Sequence, residues 1–517
     1  MTLLNRMVMI SAAVLAMAAP AVAQDDRPSI TIGVQALPAG FAPSMNISNV
    51  GQRVNYSIFD ELVRRAYWEG EKGDGAELAP SLATEWRNVS DNEWEVDIRT
   101  DVTFHDGTPM TAEDVAFSFS EERVFGEDRI VAVGPTYFGN FVDVEAVDED
   151  TVRFTTAAPD PIFPYRFTTT MGKVVPKDYY LEVGLEQFNL EPIGTGPYKL
   201  AEFRPGELIR LESYDDYWGG LPPAREITFV EIPEQSARIT GLMTGELDFI
   251  TDVSPDQKDI LAQSDSVQLM PAMIDNSRII VFNTFEPPMD DPYLRRAMSY
   301  AADRQAVVEA LWGGDSQVLP ELTFPAHGEI FKERKAAEYD PEEAQRLLEM
   351  SDYNGEELIL RIHNGYYTNF LEVSQVLQQM WREAGINVTI ELFDNGSTSF
   401  DGTWHMRSWS NGMQMPDITH PLVNVWGDTS VRTVPDDYRH TWTPPERLYE
   451  LQDLLNTTID REERLDYFRE ALDLVEQEAP QMELFQNVDY FGVRQGINWK
   501  PYSFFMMDLG PNNLSFE

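Results

Sequence analysis

The sequence has no cysteine in 517 residues, so neither a disulfide nor a thiolate metal site can form. A chain of this length must then rely on core burial, and 43% hydrophobic residues with eleven Trp supply it. Positive charge is also short: 39 Lys plus Arg stand against 87 Asp plus Glu, a net charge of −48. Such a field disfavours nucleic acid and anionic membrane surfaces as partners. The acidic residues are dispersed, as on a solvated surface. Histidine is sparse: His105, His327, His363, His405, His420 and His440 are scattered without metal-ligand spacing. No dinucleotide loop, P-loop, nucleophile elbow or paired-His zinc helix is present. His405-Met406 with Met413 and Met415 offers soft metal ligands, but packing is the favoured reading. The expectation is no catalytic residue, no metal and no cofactor. A secreted hydrolase stays as a rival class, because carboxylate pairs arise by chance among so many acids. A chaperone for unfolded chains is a third class.

Long apolar runs are missing too, except at the start. Arg6 precedes the apolar stretch Met7 to Met17, and Ala21-Val22-Ala23 offers a small-residue cleavage site before Gln24. This reads as a cleaved signal peptide over 1–23, too short to span a bilayer. No Cys follows it, which argues against a lipid anchor. The expected location is the periplasm.

Length suggests two to four domains. Ser29 to Val34 alternates as a strand, and Ser57 to Tyr67 reads as an amphipathic helix. Thr111 with Asp114 forms a capping box before a helix through Val115 and Phe117. Trp94–Ile98 and Val152–Thr155 read as strands in a β-rich section, roughly 53–190. Tyr198 to Glu202 and Ile209 to Glu212 suggest a hairpin, followed by a strand at Ile227–Ile232. A helix Ser236–Thr244 ends at Gly245, and a strand Leu247–Ile250 follows. Further on, Arg278–Phe282 is an apolar strand. Asp291-Pro292, Asp303 and Asp340-Pro341 cap helices. A strong amphipathic helix runs Phe370–Ala384, and Ile386, Val388, Ile390 and Leu392 then alternate as a strand. The last long helix is Glu462–Glu478, with short strands at Met482–Leu484 and Tyr490–Val493. The fold class is therefore α/β, with several lobes and a ligand expected between them.

The candidate site is aromatic. Tyr366 and Tyr367 follow the strand Leu358–Ile362, and Trp404 and Trp409 flank Arg407 ahead of Ser410-Asn411-Gly412. One reading is a cleft wall that stacks on ligand. The other, favoured on spacing alone, is ordinary packing.

Phe104-His105-Asp106-Gly107-Thr108-Pro109, with Asp114-Val115, resembles a signature of family 5 solute-binding proteins, the extracytoplasmic receptors of peptide/nickel-type ABC importers. Pro192 to Tyr198, Tyr214 to Gly219, Gly245 to Asp248, Phe282-Asn283-Thr284 with Pro287-Pro288 and Asp291, Arg295 to Ala297 and Ala301 to Arg304 match in the same order. The resemblance implies a periplasmic-binding-protein type II-like fold with two α/β lobes and an added β-rich subdomain. Lobe I would comprise 24–52, 191–275 and 490–517, the β-rich subdomain 53–190, and lobe II 276–489. Hinges would lie near Asn276–Thr284 and Leu484–Gly492. It also implies a monomer that carries a small molecule or short peptide to membrane permease subunits. Peptide-binding relatives have a W-x-x-D motif whose Asp meets the peptide amino terminus. Here Trp409 is followed three residues on by Gly412, with Asp417 beyond. The aromatic loop Gly365 to Thr368 also lacks the Arg that dipeptide-type relatives carry. A peptide or peptide-like ligand is expected, with oligosaccharide, glycoside and opine-like compounds as alternatives. The expected contacts are Asn283, Tyr366, Tyr367, Trp404, Arg407, Trp409, Asn411 and Asp417.

Overall fold

Two long strands, Val267–Phe282 and Gln481–Arg494, lie side by side in the middle of a ten-stranded sheet. The computed structural model describes residues 25–45, 48–68, 75–394, 400, 402–428, 430, 432–433, 435, 437 and 439–517. The expected signal peptide at 1–23 lies outside them.

On one side of the long pair come Phe249–Ile250, Ser29–Val34, Glu226–Glu231, Leu208–Ser213 and Tyr198–Arg204. On the other come Met406–Gly412, Leu358–His363 and Val388–Phe393. Ser29–Val34 is parallel to both of its neighbours, Glu226–Glu231 and Phe249–Ile250. Leu358–His363 is likewise parallel to Val388–Phe393 and Met406–Gly412. Three antiparallel pairings separate the two groups, so they run in opposite directions. Phe249–Ile250 joins the Gln481–Arg494 strand at Gly492, and Gly492 sits opposite Leu269. Gly412 sits opposite Asn276. The carboxyl ends of both parallel groups therefore converge on the middle of the Val267–Phe282 strand.

Apolar side chains cover both ends of this sheet. Ile32, Phe229, Phe249 and Val493 pack with Trp499 and Phe504 at one end. At the other, Ile280, Leu360 and Ile362 pack beneath Leu294, Leu377 and Trp381, while Ile279 and Val281 face Trp426 and Phe468 on the opposite side. A separate four-stranded sheet has the order Ala83–Ser90, Glu93–Ile98, Thr151–Thr156, Phe141–Ala146. Phe119, Phe138, Phe154 and Phe167 fill its core.

Local chemistry sets the helix ends. Thr111 and Asp114 exchange side-chain and backbone bonds as a capping box. Asp291 Oδ1 accepts from the Tyr293 amide at 2.8 Å. The helix Gln235–Thr244 stops at Gly245, whose φ of 80° suits a residue without Cβ. The helix Phe370–Glu383 buries Phe370, Val373, Leu377 and Trp381 at helical spacing.

Two sequence expectations need correction. Residues 57–67 are not one helix: Asn49–Ile58 is helical and Val63–Arg65 is a strand. All three residues of that strand are buried, including Arg64 and Arg65, so charge spacing there mimics an amphipathic pattern. Met482–Leu484 and Tyr490–Val493 are one continuous strand, Gln481–Arg494. Its polar middle, Gln486, Asn487 and Asp489, is buried.

Candidate functional site

Where the strand ends converge, polar groups span the sheet. Arg53, on the first helix, donates to both oxygens of Asp252 at 2.6 and 2.8 Å. Asp252 follows the strand Phe249–Ile250 and takes φ of +55°, which turns the chain there. Thr251 Oγ1 also donates to Asp252, at 2.6 Å. Burial works to raise the Asp252 pKa, but the Arg53 charge and these bonds lower it overall. Asp489, from the second long strand, lies 3.6 Å from Arg53. Burial and then the Asp252 charge push its pKa up.

The chain of bonds continues across the two long strands. Asn487 donates to Asp489 at 2.7 Å. Arg278 donates to Asn487 Oδ1 at 2.7 Å and to Asn276 Oδ1 at 2.9 Å. Its guanidinium lies 4.3 Å from the centre of the Tyr367 ring. Tyr367 donates to Ser410 Oγ at 3.3 Å and packs edge-on against Tyr366, ring centres 4.8 Å apart. Tyr366 is 41% exposed and feels the charges of Arg278, Arg53 and Asp252. Burial, then Tyr367, raises its pKa to about 12.

A second cluster lies on the other face of the Met406–Gly412 strand. Arg407 sits 4.3 Å from the Trp409 ring centre and 4.2 Å from Phe400. Arg432 sits 4.2 Å from the same Trp409 ring. Trp404 packs on Phe400 at 5.7 Å, and Arg439 and Thr441 complete a small pocket. Burial lowers the Arg432 pKa to about 9. Tyr367 opposes that shift, and the like charges of Arg407 and Arg439 add to it. This is a concentration of positive charge on a strongly acidic protein.

The structure therefore brings Tyr366 with Tyr367, and Trp404 with Arg407 and Trp409. It does not bring the other three expected residues to them as open groups. Asn411 is fully buried; it donates to the Pro421 carbonyl at 3.0 Å and accepts from Asn424 at 3.1 Å. Asp417 takes two bonds from Arg464, at 2.8 and 3.1 Å, and caps the turn at Thr419. Asn283 donates to the Trp404 and His405 carbonyls, at the strand end far from Gly412. Sequence reasoning missed Arg53, Asp252, Arg278, Asn487 and Asp489. Their signal is weak: single polar residues inside or beside apolar strands.

The family profile "Bacterial extracellular solute-binding proteins, family 5 Middle" matches residues 77–432. The chain is 28% identical over 340 residues to the probable ABC transporter periplasmic-binding protein SapA of Escherichia coli, covering 60% of this chain and 61% of that protein. It is 23% identical over 449 residues to the dipeptide-binding protein of Escherichia coli, covering 81% of this chain and 83% of that protein. A dipeptide-binding protein from Pseudoalteromonas, solved with Met-Leu, superposes with a TM-score of 0.83 at 20% identity, covering 95% of this chain and 100% of that one. The periplasmic binding protein AgaA with agropinic acid superposes with a TM-score of 0.80 at 22% identity, covering 95% and 99%. This likeness shows the type II fold of periplasmic binding proteins. With a family profile that spans most of the sequence, the chain belongs to the bacterial extracellular solute-binding proteins of family 5.

Proposed function

We propose that this protein is the exported receptor of an ABC importer. It would capture a small polar solute, peptide or peptide-like, between two lobes and deliver it to membrane permease subunits. The lobes would be 24–52 with 191–275 and 490–517, and 276–489, with 53–190 as the added β-rich subdomain. The observation that carries this reading is the convergence of two opposed groups of strand carboxyl ends on Arg53, Asp252, Arg278, Tyr366 and Tyr367. Ligands of open α/β sheets sit outside such ends. The two long strands join the lobes, and bending near Asn276 and Asn487 would open and close the gap. A ligand would favour the closed form to the extent that it binds that form better.

The chemistry suits a zwitterion. Asp489, whose Oδ2 has no hydrogen-bond partner, offers a carboxylate to an ammonium, and Arg278 offers a guanidinium to a carboxylate. A second reading, an acidic opine-like solute, is favoured by Arg407, Arg432 and Arg439 around Trp409. Export as a cleaved precursor and a monomeric state belong to the same proposal. A thermal-shift screen of residues 24–517 tests it, because a ligand of the folded state raises Tm. Peptides should raise Tm and their N-acetylated, amidated forms should not. A rise with opines alone favours the second reading. No rise with any solute, after unfolding and refolding to remove bound material, overturns both.

A further inference from the structure

A cavity lies away from this gap, in the region of the helices Pro292–Tyr300, Arg304–Trp312 and Arg461–Glu478. Its volume is about 550 Å³, within the range of small-molecule sites. Glu321, Gln481, Glu483 and Arg304 line its inner part, and Arg296 and Lys335 line it nearer the surface. Gln481 is fixed in orientation, because its Oε1 accepts from the Trp426 indole at 3.1 Å. Its amide NH2 must then point at both carboxylates, bonding Glu321 Oε1 and reaching Glu483 Oε2 at 3.2 Å.

That leaves one buried and one half-buried carboxylate, Glu483 and Glu321, with one neutral amide between them. Glu483 is 2% exposed; the neighbouring Ser277 hydroxyl and Leu322 amide oppose the rise in its pKa, but no well-formed hydrogen bond reaches its Oε1. Arg304 is one guanidinium whose charge acts on both, against two carboxylates, and it makes no ion pair with either. Its guanidinium is spent on the backbone carbonyls of Glu483, Ser299 and Ala337, at 3.0, 2.9 and 3.0 Å. Among the described residues no cation comes within 4 Å of either carboxylate. Burial pushes both acids upward, Glu483 to about 7. A buried anion without a partner is costly, so the inner wall lacks one positive charge with N–H donors.

We propose that this cavity is a second binding site, for a small amine whose ammonium meets Glu321 and Glu483. Arg296 and Lys335 form no ion pair among the described residues, so a zwitterion of amino-acid size finds a carboxylate partner nearer the surface. The site is independent of the gap between the strand groups.

The test is calorimetry on residues 24–517 with putrescine, L-lysine and uncharged butanediol. The amines should bind and butanediol should not. Glu483→Gln and Glu321→Gln should each weaken amine binding about tenfold or more. Removing one of two like charges should hold or raise Tm in the free protein, so folding can be checked separately. Trp409→Ala should leave amine binding unchanged. The proposal is overturned if wild-type protein binds no amine, if butanediol binds as well, if the Gln variants bind as wild type does, or if Trp409→Ala abolishes binding.

Discussion

Arg53 and Asp252 form a two-bond ion pair that closes the gap between the first helix and the strand Phe249–Ile250, and both side chains are nearly sealed from water. The pair costs desolvation, and its attraction only offsets that cost when geometry is good. Its second role is to hold Asp252 in a backbone conformation with φ of +55°.

The first prediction concerns that pair. Arg53→Met leaves a buried carboxylate unpaired, so it should destabilise the protein by about 3 kcal/mol or more. Urea unfolding checks the loss. Solute affinity should fall with it, since Asp489 also leans on Arg53 at 3.6 Å. An Arg53→Met protein with unaltered unfolding and affinity would show that the pair is idle.

Trp409 gives a different signature. Two guanidiniums lie against its ring, Arg407 at 4.3 Å and Arg432 at 4.2 Å. Trp409→Ala removes the aromatic surface that both of them contact. On the second reading, affinity for an acidic, opine-like solute should drop by about tenfold to a hundredfold, the usual loss for a central aromatic contact. Circular dichroism should show a folded protein. Unchanged affinity in calorimetry would remove Trp409 from the site.

How far the sequence speaks depends on the residue type. Asp291, Asp303, Asp340 and Gly245 announce helix ends because capping chemistry is local, and each sits where the spacing places it. Arg407 and Trp409 are also readable as neighbours, since alternate strand positions share a face. Arg53 and Asp252 are not. They lie 199 residues apart, and only the crossing of strands brings them together. The strand Gln481–Arg494 shows why buried polar residues mislead. Gln486, Asn487 and Asp489 interrupt its apolar pattern, yet Gln486 bonds the Ile274 carbonyl and Asn487 joins Arg278 to Asp489. A site built inside a strand erases the periodicity that would reveal the strand.

Asp417 separates structure from binding. Its carboxylate is fully engaged by Arg464 and Thr419. Asp417→Asn should lower Tm by several degrees through loss of a buried charge pair. Solute affinity should stay within about twofold, because the buried carboxylate is already held by Arg464 and Thr419. A selective loss of affinity with unchanged Tm would place Asp417 in the site after all.

The pH dependence follows from opposite shifts. Glu483 and Glu61 are raised from 4.5 to about 7, and Asp60 from 3.8 to about 6, each chiefly by burial. The folded form holds these protons more tightly, so their stabilisation is complete below the unfolded values and is lost as pH rises through about 6 to 7. Burial opposes ionisation of Asp252 and Asp417 too, but Arg53 and Arg464 outweigh it and lower both below 3.8. Their stabilisation is present above 3.8 and is lost as pH falls. Tm should therefore peak in mildly acidic solution and decline on both sides. Glu483→Gln should flatten the upper limb. A Tm that climbs steadily from pH 5 to 8 would contradict the raised values (conditions spanning about three units).

The last prediction restores a missing carboxylate. The W-x-x-D motif that the family resemblance implies for peptide receptors would put an Asp three residues after Trp409, and this chain has Gly412 there. The Gly412 backbone does not need glycine, since its φ is not among the positive values. A Cβ at this position would sit 3.3 Å from Asn276 Nδ2, 3.7 Å from Phe504 and 3.8 Å from the Asp275 carbonyl, a tight fit that a flexible amide can relieve. In Gly412→Asp the new carboxylate would stand beside the Asn276 amide and close to Arg278, which already bonds Asn276 at 2.9 Å. Two outcomes compete. If the pocket has room for an ammonium there, affinity for peptides with a free amino terminus should rise about tenfold, as one charge-assisted hydrogen bond provides. N-acetylated peptides should gain nothing. If Arg278 captures the carboxylate instead, Tm should rise and peptide affinity should not. We expect the first, because a Cβ at residue 412 meets the Asn276 amide nitrogen, at 3.3 Å, and Arg278 is not among its three nearest neighbours. Paired calorimetry on free and acetylated peptides decides between them.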